Sequence, residues 1–327
     1  MKAIVFSKYG SPDVLHLEEV EKPTPKDDEA LIEVRAASIN DWDWQLLEGR
    51  FINRLFSGLL RPKIRILGCD VAGRIEAVGA NVKQFQPGDE VFGDFCQVGF
   101  GGFAEYVCAP EKAFALKPAS MTFEQAAAIP QAAMLAVQVL IDVGKIQPGQ
   151  KLLINGAGGG VGTFALQIAK LYDGVTVTAV DSAAKLDMLR SMGADHVVDY
   201  TVEDFTRTGQ RYDIILDVKT NRPIRDYVRA LNPNGAYVTV GGSMTRLIQA
   251  LLLRPWILRV HKKHIRIVVL KANKDLAYMK ELFEAGKVVP VIDGPYTLRE
   301  VPEALRYFGA GHHKGKVIIT LEQDRFS

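Results

Sequence analysis

The stretch that most constrains this chain is residues 152–181, which read LLINGAGGGVGTFALQIAKLYDGVTVTAVD. An apolar strand pattern runs into a group of glycines, and an amphipathic helix and a second strand pattern follow. Glycine suits this turn because the backbone bends tightly, must approach a ligand closely and lets the helix pack against the strand. The helix N-terminus offers free backbone N–H groups and a positive dipole end. The stretch therefore predicts a strand–turn–helix–strand unit with an anion-binding turn.

The glycine spacing matches a dinucleotide-binding fingerprint. In register it reads Gly156-x-x-Gly159-x-x-Gly162, with Ala157 where the G-x-G-x-x-G pattern would place a glycine. An acidic residue, Asp181, ends the next strand, 19 residues beyond Gly162, as the fingerprint requires. A glycine-rich loop without a ligand is the alternative. We predict that a dinucleotide binds at Gly156, Ala157, Gly159, Gly160, Val161 and Gly162.

The chain changes character twice along its length. Its 327 residues exceed the size at which one hydrophobic core keeps growing, which favours two domains. Short alternating runs up to about residue 120 predict a mostly β domain, whereas strands and helices alternate from 122 to 272. Strands are expected at 151–155, 175–180, 196–199, 212–217, 236–240 and 265–270. A helix ending at Gly286 and two β-like runs then return to the first domain. We predict an α/β fold with a mostly β domain (1–121 and 273–327) and a doubly wound, parallel six-stranded sheet (122–272).

Composition excludes several classes of function. Forty Lys and Arg against 38 Asp and Glu give a net charge of +2, too small to favour a nucleic-acid partner. Three cysteines are too few for a disulfide framework and fit a reducing cytoplasm. The longest apolar stretch, 247–260, contains Arg254 and Pro255 and is too short to span a membrane, so we expect a buried or interface helix. The basic residues of 246–271 favour a solvated helix face, with a contact to an anionic substrate or phosphate as the alternative.

Several segments together resemble a known superfamily. They are AASINDWDW (36–44), GCDVAGRIEAVG (68–79), QPGDEVFG (86–93), GGFAEYV (101–107), IPQAAMLAVQVL (129–140), the glycine turn and LRSMGADHVVDY (189–200). Over nearly its whole length the chain resembles medium-chain dehydrogenases/reductases, and within them the zinc-independent quinone oxidoreductases. The resemblance implies a GroES-like catalytic domain from both chain ends, a Rossmann domain between them and hydride transfer from NADPH or NADH.

The resemblance also bears on metal use. Zinc-dependent relatives bind the metal through a Cys, a Gly-His-Glu segment and a further Cys or His, and carry a lobe of four cysteines. Asn40 stands at the first position here, Cys69 and Asp70 stand at the His-Glu, and the cysteine lobe is missing. We therefore expect no zinc, because catalytic zinc needs three suitable ligands. Cys69 is expected to be buried, and Asp70 to bond locally to the following turn.

Without a Lewis acid, the chemistry depends on the cofactor and on positioning. Hydride addition to a quinone or an α,β-unsaturated carbonyl moves negative charge onto an oxygen that hydrogen-bond donors stabilise. The resemblance points to Asn40 as a donor to the substrate oxygen and to Asp43 as the group that orients Asn40 or a water. The alternative is that both residues only cap the helix beginning near Trp44, since Asn and Asp are preferred N-caps.

The residues leave both NADH and NADPH open. Asp181 favours NADH because a carboxylate accepts from ribose hydroxyls and repels a 2′-phosphate. Lys185 and Tyr200 match positions that hold this phosphate in NADPH-using relatives. The alternative is that Lys185 is solvated, as a lysine at this position of a helix more often is, and that Tyr200 only packs. The backbone of Val240, Gly241 and Gly242 ends a strand and is expected to face the nicotinamide. Lys219 and Asn221 replace the family's glycine-rich segment and are expected to alter the cofactor site.

The sequence thus predicts a cytoplasmic, zinc-independent NAD(P)H oxidoreductase acting on a small quinone or conjugated carbonyl. Two alternatives are a catalytically weak, cofactor-binding, redox-responsive interaction protein and a zinc alcohol dehydrogenase. The apolar strand IRIVVL (265–270) at a sheet edge favours pairing with a second copy, so a homodimer is expected.

Overall fold

The computed structural model describes residues 1–50, 54–55, 57–242 and 244–321. The strands are β1 Lys2–Val5, β2 His16–Glu19, β3 Glu29–Ser38, β4 Asp70–Val78, β5 Glu90–Asp94, β6 Tyr106–Pro110, β7 Ala115–Leu116, β8 Lys151–Asn155, β9 Thr176–Asp181, β10 His196–Asp199, β11 Tyr212–Asp217, β12 Leu231–Thr239, β13 His264–Ile267, β14 Ile292–Thr297 and β15 Lys316–Thr320. The helices are α1 Asp41–Glu48, α2 Phe123–Ala128, α3 Pro130–Val137, α4 Gly160–Ala169, α5 Ala183–Ser191, α6 Ile224–Ala230, α7 Met244–His261, α8 Leu276–Glu284 and α9 Val301–Gly309. A π-helical segment, Gln138–Gly144, follows α3.

The chain divides into two compact units. Among the described residues, the β-rich unit comprises 1–131, 272–284 and 290–321, and the Rossmann unit comprises 132–271 and 285–289. The first division falls ten residues after the predicted boundary at 121/122, because α2 packs on β3 and β4 of the β-rich unit. Residues 322–327 of the predicted first domain lie outside the described residues.

The β-rich unit is built on a largely antiparallel sheet with the order β14-β15-β3-β4-β5-β7, and β6 also pairs with β3. Its core is filled by large apolar side chains that are almost completely buried, such as Phe6, Ile32, Leu47, Phe95 and Phe103. The sheet holds three distant parts of the sequence in one register, since β15 pairs with β3 and β3 pairs with β4.

The Rossmann unit contains a six-stranded parallel sheet with the order β10-β9-β8-β11-β12-β13. This order confirms the predicted doubly wound sheet. The bounds of β8, β10 and β11 match the prediction. β12 begins five residues earlier than predicted, at Leu231, because Leu231 pairs with Tyr212 before an irregularity in the register.

Helix α7 contains the predicted apolar helix of residues 247–260. One side is buried, with Ala250 and Ile257 in a core cluster of the Rossmann unit. The opposite side is exposed, and Leu252 and Trp256 are 74% and 55% accessible. Among the described residues, no helix combines the length and apolar character needed to cross a membrane.

Candidate functional site

Four strands of the β-rich unit bring polar side chains into one buried row. Ser38 ends β3, Asp70 begins β4 and Asp94 ends β5. The antiparallel register sets Ser38 opposite Asp70 and Asp70 opposite Asp94. β15 pairs with β3 at the same edge, so its first residue, Lys316, enters the row.

Lys316 is the cation of this cluster, and its side chain is 3% exposed. Its Nζ lies 2.6 Å from Asn40 Oδ1 and 3.1 Å from Asp70 Oδ2, and donates to the backbone oxygen of Ile39. Asn40 Nδ2 donates to Asp70 Oδ2 at 2.9 Å. Contacts on both ends of the amide therefore fix its orientation, and Asn40 keeps a second Nδ2–H for another acceptor.

Asp70 accepts four hydrogen bonds in the interior. Besides Asn40 and Lys316, the donors are Ser38 Oγ at 2.9 Å and the backbone N–H of Gln131 at 3.0 Å. A buried carboxylate needs such partners, because an unpaired charge is costly in the interior. The expectation that Asp70 bonds locally to the following turn is therefore wrong. Its partners are distant in sequence, and the sheet register brings them together.

Asp43 fixes the start of α1. It is fully buried, and its two carboxylate oxygens accept from the backbone N–H groups of Asn40 and Gly68, both at 2.8 Å. Asn40 holds the N-cap position of α1, which begins at Asp41. The side chain of Asn40 turns instead to Asp70 and Lys316, so the residue does more than cap the helix. Cys69 is buried as expected, and its Sγ lies 3.7 Å from Asp43 Oδ1.

Two carboxyl groups near Asn40 have raised pKa values. Burial raises the pKa of Asp43 to about 7, although hydrogen bonds from Gly68 and Asn40 act in the opposite direction. Burial and the nearby Asp70 charge raise the pKa of Asp94 to about 6. Both groups therefore hold protons in the folded protein at pH values where an unfolded chain has released them.

This difference predicts a pH-dependent stability. Because folding raises the pKa of Asp43 from 3.8 to about 7, its contribution to the free energy of unfolding is fully present at low pH and is lost as pH rises through this window. We expect Asp43→Asn to reduce the dependence of the free energy of unfolding on pH. Denaturant titrations between pH 4 and pH 8 measure this dependence. Asp187→Asn, at a side chain 98% exposed, is the matched control. If Asp43→Asn leaves the pH dependence of the free energy of unfolding unchanged, Asp43 is not its source.

The glycine turn of the Rossmann unit has the geometry expected of a phosphate cradle. Gly156 has φ +87°, and Gly159 is the N-cap of α4 without a side chain to cap it. The first N–H groups of α4, at Gly160, Val161 and Gly162, therefore lack a capping side chain. A Cβ on Gly162 would lie 2.4 Å from the backbone oxygen of Gly156. The residues present fit a dinucleotide pyrophosphate at this turn.

Asp181 and Lys185 lie beside the turn and contact each other. Asp181 Oδ2 accepts from the N–H of Gly158 at 2.8 Å, and Lys185 Nζ lies 3.5 Å from Asp181 Oδ1. Lys185 is almost completely buried and its stem covers Gly158, so it is not a solvated lysine. Tyr200 is 44% exposed, and its N–H donates to the backbone oxygen of Asp181.

The loops that follow β11 and β12 meet at the same edge of the sheet. Asp217 Oδ1 accepts from Asn155 Nδ2 at 2.8 Å and from the backbone N–H of Thr220 at 2.9 Å. Thr220 then packs against Gly242, where a Cβ would clash with its hydroxyl. The stem of Lys219 lies across Gly156. The replacement of the family's glycine-rich segment thus places a lysine beside the glycine turn.

Comparison with known proteins identifies the family. A model described as "Alcohol dehydrogenase GroES-like domain" matches residues 26–119, and one described as "Zinc-binding dehydrogenase" matches residues 192–319. The chain is 35% identical to 2-methylene-furan-3-one reductase of Solanum lycopersicum, with 98% of this chain and 79% of that protein covered. The chain belongs to the medium-chain dehydrogenase/reductase superfamily, among its quinone oxidoreductase-like members. The predicted GroES-like and Rossmann folds are confirmed.

Two further members of the superfamily are similar over nearly this whole chain. NADPH-dependent alkenal/one oxidoreductase, chloroplastic, of Arabidopsis thaliana is 33% identical, with 98% of this chain and 79% of that protein covered. The quinone oxidoreductase structure from Coxiella burnetii superposes with a TM-score of 0.87 at 28% identity, with 98% of this chain and 99% of that chain covered.

The residues at the zinc-ligand positions of this medium-chain dehydrogenase/reductase do not fit zinc. Asn40 and Asp70 both bond to the Lys316 ammonium group, so these two side chains already share a cation of the chain itself. Cys69 directs its Sγ to Asp43, and burial raises the pKa of its thiol well above the usual range, whereas zinc binds the thiolate. Among the described residues, no three His, Cys, Asp or Glu side chains form a metal-binding group.

The sequence predicted some of the residues of these sites and not others. The predicted cofactor residues follow the carboxyl ends of β8, β9, β10 and β12, which the parallel register aligns. Asn155 and Asp217 were not predicted as site residues. Each is a polar residue at the end of a predicted strand, and this pattern could have identified them. No sequence pattern marks Lys316, Ser38 or Gln131 as a site residue, because only the sheet register and the start of α3 bring them to Asp70.

Proposed function

We propose that this chain transfers hydride from NAD(P)H to a quinone or an α,β-unsaturated carbonyl without a metal ion. The observation that carries the proposal is the bonding of Lys316 Nζ to Asn40 Oδ1 and Asp70 Oδ2, because these two residues stand at zinc-ligand positions of the relatives in the sequence. The names of the tomato reductase, the Arabidopsis alkenal/one oxidoreductase and the Coxiella quinone oxidoreductase support the substrate class.

The chain's own groups position the reaction. A bound nicotinamide would supply the hydride, and the substrate's carbonyl or quinone oxygen would then need a hydrogen-bond donor for its negative charge. Asn40 is proposed to stabilise that oxygen with its second Nδ2–H, because Lys316 and Asp70 hold the amide in a fixed orientation. Asp43 acts as a positioning residue, since it holds the backbone of Asn40 and Gly68.

Replacement of Asn40 by Ser tests the proposed amide donor. Serine lacks the amide N–H, so we expect kcat to fall about tenfold. It also loses the amide's buried bonds to Lys316 and Asp70, so we expect the free energy of unfolding to fall by about 1–3 kcal/mol. Steady-state kinetics and denaturant titration of Asn40→Ser measure the two effects. Ser11→Ala, which removes an exposed hydroxyl bonded to Asp13 outside the cluster, is the control. Wild-type kcat in Asn40→Ser would leave Asn40 with a structural role only.

The glycine turn, Asp181, Lys185, Tyr200 and the backbone of Val240–Gly242 are proposed to bind the dinucleotide. The buried pair between Lys185 and Asp181 supports NADPH as the preferred form, because the lysine offsets the charge with which Asp181 would repel a 2′-phosphate. The NADPH dependence in the name of the Arabidopsis relative is consistent with this choice.

Two opposite substitutions test this selectivity. Asp181→Ser removes the repelling carboxylate, so kcat/KM for NADPH should rise relative to NADH, by about tenfold. Lys185→Met removes the cation and should shift the ratio towards NADH. Lys170→Met, which breaks the exposed pair with Asp195, should leave the ratio unchanged. Unchanged ratios in both Asp181→Ser and Lys185→Met would show that this pair does not select the cofactor.

Turnover separates the proposed enzyme from a protein that only binds the cofactor. We expect saturable NADPH oxidation with at least one member of a panel of quinones and enones, together with cofactor binding measured by nicotinamide fluorescence. Saturable binding without turnover on any acceptor would favour the redox-responsive interaction protein.

A cytoplasmic location is also proposed. The free state of Cys69, Cys96 and Cys108 fits this location.

We also propose a homodimer formed by pairing of β13 with its copy. β13 ends the strand order of the Rossmann sheet, and an edge strand offers unpaired backbone groups to a partner. Light scattering on the purified protein measures the mass, and a monomer would contradict this proposal.

A further inference from the structure

Helix α7 exposes an apolar stripe at helical spacing. Ile248, Leu251, Leu252 and Trp256 are 49%, 54%, 74% and 55% exposed. They follow the i, i+3, i+4, i+8 spacing that places side chains on one helix face. Such a stripe normally faces a core, but here the core contacts lie on the opposite side of the helix, at Ala250 and Ile257. A contiguous exposed apolar face of this kind indicates an interaction surface.

The sequence around this stripe is strongly basic. Residues 246–271 contain seven Lys and Arg and no Asp or Glu, although the whole chain carries a net charge of only +2. Arg254 and Arg259 lie on α7 itself and are exposed. The described residues offer neither side chain an ion-pair partner, so both positive charges are open to an external partner.

We propose that α7 docks on an anionic phospholipid surface, with the apolar stripe in the interfacial region and the basic residues on the headgroups. Apolar side chains that include a tryptophan, together with exposed arginines, are the composition of helices that lie in the membrane interface. Anionic headgroups supply the negative charge that residues 246–271 lack. A second copy seated on the stripe fits the charge less well, because a two-fold contact through this face of α7 sets Arg254 and Arg259 against their own copies.

Vesicle sedimentation of the full-length protein tests the proposal. We expect binding to vesicles of phosphatidylcholine with about 30% phosphatidylserine to exceed binding to phosphatidylcholine alone by roughly tenfold or more. Raising the salt from about 0.05 M to about 0.5 M should weaken it, because the Debye length shortens. Leu252→Ser/Trp256→Ser and Arg254→Glu/Arg259→Glu should each lower the partition coefficient by roughly tenfold.

Matched variants control for exposure and charge alone. Leu60 and Val202 are 88% and 84% exposed and lie outside α7, so Leu60→Ser/Val202→Ser should bind vesicles like the wild type. Arg207→Glu/Arg225→Glu places the same charge change elsewhere on the Rossmann unit and should have a smaller effect. Quenching of tryptophan fluorescence by brominated lipid, lost in Trp256→Phe, tests the contact without the double variants.

Three results would overturn the proposal. They are equal binding to neutral and anionic vesicles, absence of brominated-lipid quenching in the wild type, and conversion of an oligomer to a monomer by Leu252→Ser/Trp256→Ser. The last result would assign the stripe to a second copy of the chain. None of these variants changes the proposed catalytic residues, so loss of vesicle binding with retained NADPH oxidation separates this proposal from the proposed function.

Discussion

Replacement of Lys316 by Met should destabilise the protein by about 3–5 kcal/mol and abolish most of its turnover. The substitution removes the only cation bonded to Asp70 in the described cluster, and a buried carboxylate without its partner is strongly unfavourable. It also frees the Asn40 amide, which Lys316 holds at 2.6 Å. Denaturant titration measures the stability loss, and steady-state kinetics on the folded fraction measure the turnover.

Two comparisons make this prediction specific. In Lys316→Met/Asp70→Asn the unpaired charge is gone, so we expect at least about 1 kcal/mol to be recovered relative to the single variant. Lys22→Met breaks an exposed pair with Glu76 and should cost less than about 1 kcal/mol. A loss in Lys316→Met no larger than in Lys22→Met would contradict the structural role assigned to the buried ammonium group.

Replacement of Gly162 by Ala should weaken NADPH binding by about 10- to 100-fold. The added Cβ would lie 2.4 Å from the oxygen of Gly156 and 2.5 Å from the Cα of Ala157, and both are backbone atoms of the turn. Overpacking of this kind costs about 1–3 kcal/mol, and the displaced atoms belong to the proposed phosphate-binding surface. Titration of nicotinamide fluorescence measures the dissociation constant.

The control for Gly162→Ala is a glycine with open space around it. Gly209 has φ +83° and no atom within 4 Å of an added Cβ. Gly209→Ala should therefore lower stability slightly through backbone strain and leave NADPH affinity unchanged. Equal affinities in the wild type and Gly162→Ala would show that the turn does not carry the phosphates.

The fold of the Rossmann unit was largely predictable because the sequence patterns that specify it lie close together in the chain. β8, the glycine turn and α4 follow one another within twenty residues, and each has its own pattern of apolar and small residues. Alternation of strands and helices then dictates a parallel sheet, and a parallel sheet aligns its carboxyl ends. The candidate cofactor residues could therefore be named from the sequence, although the contact of Lys185 with Asp181 could not.

The cluster around Asp70 was not predictable, since it depends on register between distant strands. Lys316 lies 246 positions from Asp70 in the chain, and only the pairing of β15, β3 and β4 makes them neighbours. In the sequence, Lys316 is a lysine before an apolar strand, and nothing there indicates its role in the cluster. The resemblance to zinc-dependent relatives indicated which ligands were replaced, but the cation that Asn40 and Asp70 hold is visible only in the structure.

The most direct test of the central claim follows the transferred hydride. The protein is treated with a zinc chelator and supplied with NADPH carrying deuterium at the transferable position, together with an α,β-unsaturated ketone. We predict a saturated ketone with deuterium on the β-carbon, formed at a rate that the chelator does not change. An allylic alcohol with deuterium on the carbinol carbon, at a rate lost to the chelator and restored by zinc, would contradict the account.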